Sequence, residues 1–225
     1  MVEIDERSKK FMPRKAQRKD YDMPLANLSL DSRAVRRILN KFKGDVEALL
    51  MEAVDAWGVA PGADIGVMAN QWAVMFNENI ASYYYRQMFS LGFTGKANDE
   101  LPKELDAFIT KAAAEETEFF RDAVKRMLER LRDDKDASID MIVSSYTDSL
   151  EAQFYNGYVA ALPPDARVID WQLDPDKAVD HCPDCLDIAS AGPYSKKTLP
   201  TVPRAGDTQC MWRCKCKLVI KTEEL

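Results

Sequence analysis

The stretch from His181 to Cys216, HCPDCLDIASAGPYSKKTLPTVPRAGDTQCMWRCKC, holds all five cysteines of the chain: Cys182, Cys185, Cys210, Cys214 and Cys216. The spacing is C-x2-C, a loop of 24 residues, then C-x3-C-x-C. A C-x2-C turn aims two thiolates at one point about 2.3 Å away, and a further pair completes the tetrahedron that zinc prefers. The loop carries Gly192, Pro193, Pro200, Pro203 and Gly206, so it forms no long helix or strand. Such a core-poor segment needs a clip, and metal binding supplies folding free energy to it. The reading is a structural Zn2+ site.

Other chemistries fit the stretch less well. A disulfide framework is opposed by the odd cysteine count and by a charged N-terminus without an apolar secretory core. A redox C-x-x-C lacks its βαβ surroundings. Catalytic zinc keeps an open position, whereas five thiols crowd this one. Cys182 and Cys185 are the firm pair, Cys210 is the third ligand, and either Cys214 or Cys216 is the fourth. In an extended chain Cys214, Cys216, Leu218 and Ile220 share one face, and Lys215 and Lys217 the other.

Upstream, the pattern changes from loop to helix. Residues 1–30 read as an extended arm, broken by Pro13 and Pro24. It carries Arg7, Lys9, Lys10, Arg14, Lys15, Arg18 and Lys19 with no acid among them, then Leu25, Leu28 and Leu30. From Asp31 or Ser32, as caps, Val35, Ile38, Leu39, Phe42, Val46, Leu49, Leu50, Ala53, Val54 and Trp57 follow the three-and-four step of a buried helical face. Gly58 and Pro61 end it. A second helix over 64–91 points Ile65, Met68, Trp72, Met75, Phe76, Ile80 and Tyr83 inward. Gly95 closes the turn after it. A third, from about Leu101 with Pro102 in its first turn, buries Leu105, Phe108, Ile109, Ala112, Phe119, Ala123, Met127, Leu128 and Leu131. Its other face, from Lys111 to Arg132 and including Glu115, Glu116 and Glu118, reads as solvated.

A fourth helix over 138–162 buries Ile139, Ile142, Val143, Tyr146, Leu150, Phe154 and Tyr158, and Pro163 and Pro164 stop it. Gly157 inside it costs about 1 kcal/mol relative to alanine and marks a close helix approach or a bend. After the prolines the period becomes two: Ile169, Trp171 and Leu173 form one face of a strand in RVIDWQL, and CKCKLVIK is a second. The expected fold is mainly α: an arm (1–30), a bundle-like helical body (31–162), and a small zinc-stapled β module (163–225), α+β in total.

Chemistry elsewhere is sparse. His181 is the single histidine, and no G-x-S-x-G, G-x-x-x-x-G-K-[ST] or G-x-G-x-x-G is present. The deaminase pattern fails because no H-x-E precedes the cysteines. No enzyme is expected. No apolar run is long enough for a membrane span. The net charge of −6 gives the whole chain no charge-driven affinity for nucleic acid.

The run Trp171-Gln-Leu-Asp-Pro175, then His181-Cys-Pro-Asp-Cys-Leu-Asp-Ile-Ala189, then Leu199-Pro-Thr-Val-Pro203 and the C-x3-C-x-C element resembles the C-terminal signature of bacteriophage minor head (head morphogenesis) proteins, the phage Mu F-like group. The helix SYTDSLEAQFYNGY, Ser145–Tyr158, is similar to that family's last long helix. The resemblance covers roughly residues 138–220. Many members carry a histidine-proline before the C-x-C element, where this chain has Cys210. The resemblance implies a virion protein of few copies, made in the host cytoplasm, that meets portal and capsid proteins at the portal vertex in head assembly or genome delivery. The basic arm would be free to reach packaged DNA. The alternative is a zinc-containing nucleic-acid-binding protein. It would use the arm and the mixture of Lys196, Lys197, Arg204, Arg213, Lys215 and Lys217 with Trp212 and Tyr194. Asp174, Asp176, Asp180, Asp184, Asp187 and Asp207 oppose that charge.

Overall fold

A computed structural model describes residues 33–133, 139–174 and 181–221. The arm, the helix cap at Asp31 or Ser32, and residues 222–225 lie outside these.

The apolar stripe of the first helix is realised as α1, Arg33–Val59, with Val35, Ile38, Phe42, Val46, Leu49, Leu50, Ala53 and Trp57 buried. α2, Ile65–Phe76, begins at Asp64, whose carboxylate accepts from the Val67 N–H at 3.0 Å. This side-chain cap supplies a partner to one of the otherwise orphan amides of the first turn. The helix continues through a π turn, Asn77–Ala81, into α3, Ser82–Thr94. Gly95, with φ 82°, closes α3 through its N–H on the Leu91 carbonyl at 3.0 Å. α4 is Lys103–Asp133, with Pro102 just before it accepting from the Asp106 N–H. Glu104 and Asp106 open α4 and Arg130 and Arg132 close it, in the sense that complements the helix dipole. α5 is Asp140–Ala160.

Tyr83 and Phe119 correct the sequence reading. Tyr83 is 49% exposed, and Tyr84 and Tyr85 are buried instead. The π turn is the cause: the Ser82 N–H bonds to the Asn77 carbonyl, five residues back, and the extra residue advances the buried face by one position. Phe119 is 55% exposed while its neighbour Phe120 is fully buried. Phe120 stacks on Phe76 at 4.1 Å between centroids, and Tyr146 packs edge-on against both. The stripe of α4 therefore runs Ile109, Ala113, Phe120, Val124, Met127.

The close approach expected at Gly157 is made by two glycines. A Cβ on Gly157 would lie 2.1 Å from the Phe89 carbonyl oxygen, and one on Gly92 would lie 2.1 Å from that of Phe154. Neither backbone can yield, so α3 and α5 touch only because both positions lack a side chain.

β1, Ile169–Gln172, and β2, Lys217–Ile220, pair antiparallel, with Trp171 opposite Leu218. Ile169 also exchanges two backbone hydrogen bonds with Tyr194. The expected alternation holds: Cys214, Cys216 and Leu218 are buried, while Lys217 and Val219 are exposed. Between the strands lies a short helix, α6, Pro183–Ala191. The fold is thus mainly helical with a small two-stranded sheet. Val168, Ile169, Trp171, Tyr194, Leu199 and Val202 join the same core as the helices. From Ala152 to Ala160, α5 is buried on all sides, because the body covers one face and the cysteine module the other.

Candidate metal centre

Local structure explains the spacing of the first pair. Cys182 is the N-cap of α6, with extended backbone, and Pro183 follows at the first helical position, where a missing N–H costs nothing. Cys185 then returns on the first turn, and the Leu186 N–H closes on the Cys182 carbonyl at 3.2 Å. The second group leaves a tight 3-10 turn, Met211–Arg213, in which the Arg213 N–H bonds to the Cys210 carbonyl at 3.0 Å. Cys214 resumes extended backbone, so it and Cys216 point to one face as β2 begins.

The five cysteines named from the sequence meet at one place, all unpaired by disulfides. Cys182 Sγ lies 3.5 Å from Cys210 Sγ, and Cys185 Sγ lies 3.6 Å from Cys210 Sγ and 3.7 Å from Cys214 Sγ. A tetrahedron of sulfurs about 2.3 Å from a zinc ion has edges of about 3.8 Å. The sulfurs form two trios, Cys182–Cys185–Cys210 and Cys185–Cys214–Cys216, each with every sulfur within 4.8 Å of the others. Cys185 belongs to both. Such a cluster could hold a metal ion.

Crowding drives the thiols apart in acidity. The Cys185 thiol is pushed far up by the neighbouring Cys214 and Cys216 thiols and by burial. Cys216 is pulled down to about 2 by the Cys185 and Cys214 thiols, against its burial. Adjacent sulfurs cannot all ionise without a cation between them, and a divalent metal removes that conflict by displacing the protons.

The surrounding shell is built in. Thr208 Oγ1 is 3.2 Å from Cys210 Sγ, and the Asp184 carboxylate accepts from the Gln209 N–H at 2.7 Å, tying the two limbs of the knot together. Trp171 Nε1 is buried without a hydrogen-bond partner of normal geometry. His181 belongs to neither trio; its Nε2 lies 3.0 Å from the Asp174 carbonyl oxygen.

Ion pairs and hydrogen bonds fasten the module to the body. Arg204, φ 66°, is nearly buried and places Nη1 2.7 Å from Glu151 Oε2 of α5. Lys215 pairs with Asp148 at 3.4 Å. Lys196 donates to the Ala160 carbonyl at the end of α5, at 2.6 Å, and Lys197 pairs with Asp165 at 2.7 Å.

Two charged residues escaped the sequence reading. Arg204 gave no local signal, because its partner is 53 residues away. Glu116 was placed on the solvated face of α4, but it sits against the hydroxyls of Tyr85 and Ser149, which are themselves 2.7 Å apart. Burial pushes its carboxyl up to about 7, against the two hydroxyls. The signal was present: Glu116 falls in step between Ala113 and Phe120 on the apolar stripe.

Compared with family models, with curated proteins and with solved structures, the chain finds no match in any of the three. Among the described residues, no helix is long and apolar enough to cross a membrane.

Proposed function

We propose that the chain is a non-enzymatic structural protein of a phage head, of the minor head protein kind, in which one Zn2+ staples the C-terminal module to a helical body. The observation that carries this reading is the convergence of all five signature cysteines beside α5, the helix whose sequence shares the resemblance. Cys182, Cys185, Cys210 and Cys214 hold the metal: three sulfur distances of 3.5–3.7 Å, close to a tetrahedral edge, link them in a chain, and the Cys214 sulfur draws in toward Cys182 and Cys210 to complete the tetrahedron. Cys216 is the fifth, buried thiol. A closed, all-thiolate site leaves no position for a substrate, which suits a structural rather than a catalytic zinc.

The nucleic-acid reading loses ground on the partners of its basic residues. Lys196, Lys197, Arg204 and Lys215 are engaged with Ala160, Asp165, Glu151 and Asp148. Few cations of the module are left for phosphates. A salt-dependent DNA shift assay on the chain lacking residues 1–30 separates the two: a nucleic-acid-binding module loses affinity steeply as salt rises, and a structural head protein, whose DNA contact would be confined to the arm, shows no binding to lose. The direct test is to complement a phage lacking this protein and quantify the chain, with its zinc, in purified particles. Its absence from particles would sink the head-protein reading.

A further inference from the structure

A cavity of about 280 Å³ opens between α4, α5 and the 3-10 turn of the cysteine module. Phe119, Met127, Met141 and Ile142 supply apolar wall. Phe119 and Met141, large apolar side chains that line the same cavity, are both more than half exposed. Three guanidinium groups also line it: Arg126 and Arg130, one helical turn apart on α4, and Arg213 between Cys210 and Cys214. Arg86, Arg121, Arg132 and Arg204 each pair with a carboxylate. The three at the cavity pair with none among the described residues. Glu116 also lines the cavity, its carboxyl set against the hydroxyls of Tyr85 and Ser149, so the three guanidinium groups there outnumber the one carboxyl.

The geometry points to a docking site for an acidic peptide segment of a partner protein, one that seats a large apolar side chain in the cavity and sets carboxylates on Arg126, Arg130 and Arg213. The volume is sufficient, since an apolar cavity of about 150 Å³ already takes a benzene-sized group. Guanidinium forks on two separate segments match several carboxylates in sequence, with charge-assisted bonds to each. A single-headed amphiphile supplies only one. A nucleic-acid backbone would satisfy the charges but bring nothing apolar to the wall. The site joins body to module, so the metal knot fixes the position of Arg213 relative to the other two.

The test is selection of a random twelve-residue peptide display library on the immobilised, zinc-loaded full chain, followed by fluorescence anisotropy of the enriched peptides. Enriched sequences should carry two or more acids around an aromatic or leucine. The double variant Arg126→Glu/Arg130→Glu should weaken them at least tenfold, Arg213→Ala and Phe119→Ser severalfold, all with unchanged helical circular dichroism. Chelation should remove only the Arg213 share, so a failure of the metal reading would leave the Arg126/Arg130 dependence intact. Enrichment of neutral or basic peptides, indifference to the charge reversal, or displacement of bound peptide by a short DNA duplex would each overturn the proposal.

Discussion

The helical body and the cysteine module reach order by different physics. In the body, the apolar faces of the helices share one core, with Phe76 of α2 stacked on Phe120 of α4 and Tyr146 of α5 edge-on to both, and hydrophobic burial is sufficient for a bundle of this size. The module has two strands of four residues each and one short helix, and most of its chain runs as loop. Its order comes from a few apolar side chains that join the body's core, from convergent sulfurs, from β1 and β2 closing the knot, and from charged tethers to α5. Removing one group should therefore matter locally in the module, whereas the body should fail as a unit.

The largest effect is expected for Cys185→Ser. Cys185 alone belongs to both sulfur trios, so its loss should abolish metal binding and open the chain at Lys196 and Lys197 to protease. Helical circular dichroism should fall little. Cys216→Ser should keep its zinc in native mass spectrometry. Equal metal loss in both would break the ligand assignment, and collapse of the helical signal in Cys185→Ser would break the contrast between the regions.

Arg204→Met tests the joint. Removing one partner of a buried ion pair leaves Glu151 uncompensated and should cost roughly 3–5 kcal/mol. Adding Glu151→Leu should restore most of it, because a well-packed apolar pair replaces the charges. Urea unfolding of both variants decides; a double variant as weak as the single would show that packing, not the charge, was lost.

Gly157→Ala strikes the body. The added methyl would meet the Phe89 carbonyl at 2.1 Å, so α3 and α5 must move apart at a cost of roughly 2–3 kcal/mol. Thermal unfolding should show it with zinc content unchanged. A stabilised variant, as helix propensity alone would give, would contradict the close crossing.

Glu116 gives the smallest effect, through pH. Its carboxyl ionises near 7 when folded, against an ordinary 4.5, so between those values the native state holds more proton than the unfolded chain. Stability from this group is fully present below about 4.5, declines as pH rises to about 7, and is flat above. Glu116→Gln should match the wild type at pH 5 and exceed it by about 2 kcal/mol at pH 8. A gain of equal size at both values would remove the buried carboxyl from the account.

Much of this was legible in the sequence because it is periodic. The face of α1 and the alternation in β2 follow from steps of three, four or two, and the convergence of the cysteines from their spacing, whereas the all-round burial of α5 from Ala152 to Ala160 has no such period. What escaped depends on partners far along the chain. A π turn leaves no compositional mark, so Tyr83 and Tyr84 exchanged roles. Phe119 and Phe120 are equally apolar, and only Phe76 decides which is inside. Gly157 announced a close approach, but the facing Gly92 became visible only once α3 lay against α5.

The claim that a metal orders one region while packing orders the other is tested most directly by hydrogen exchange of the full chain, with and without a strong chelator, read peptide by peptide. The account predicts one zinc per chain before chelation. After it, protection should be lost across residues 181–221 and retained through α1, α3 and α4. Unchanged protection around Cys182 and Cys214, or a loss spread evenly over the helices, would contradict it.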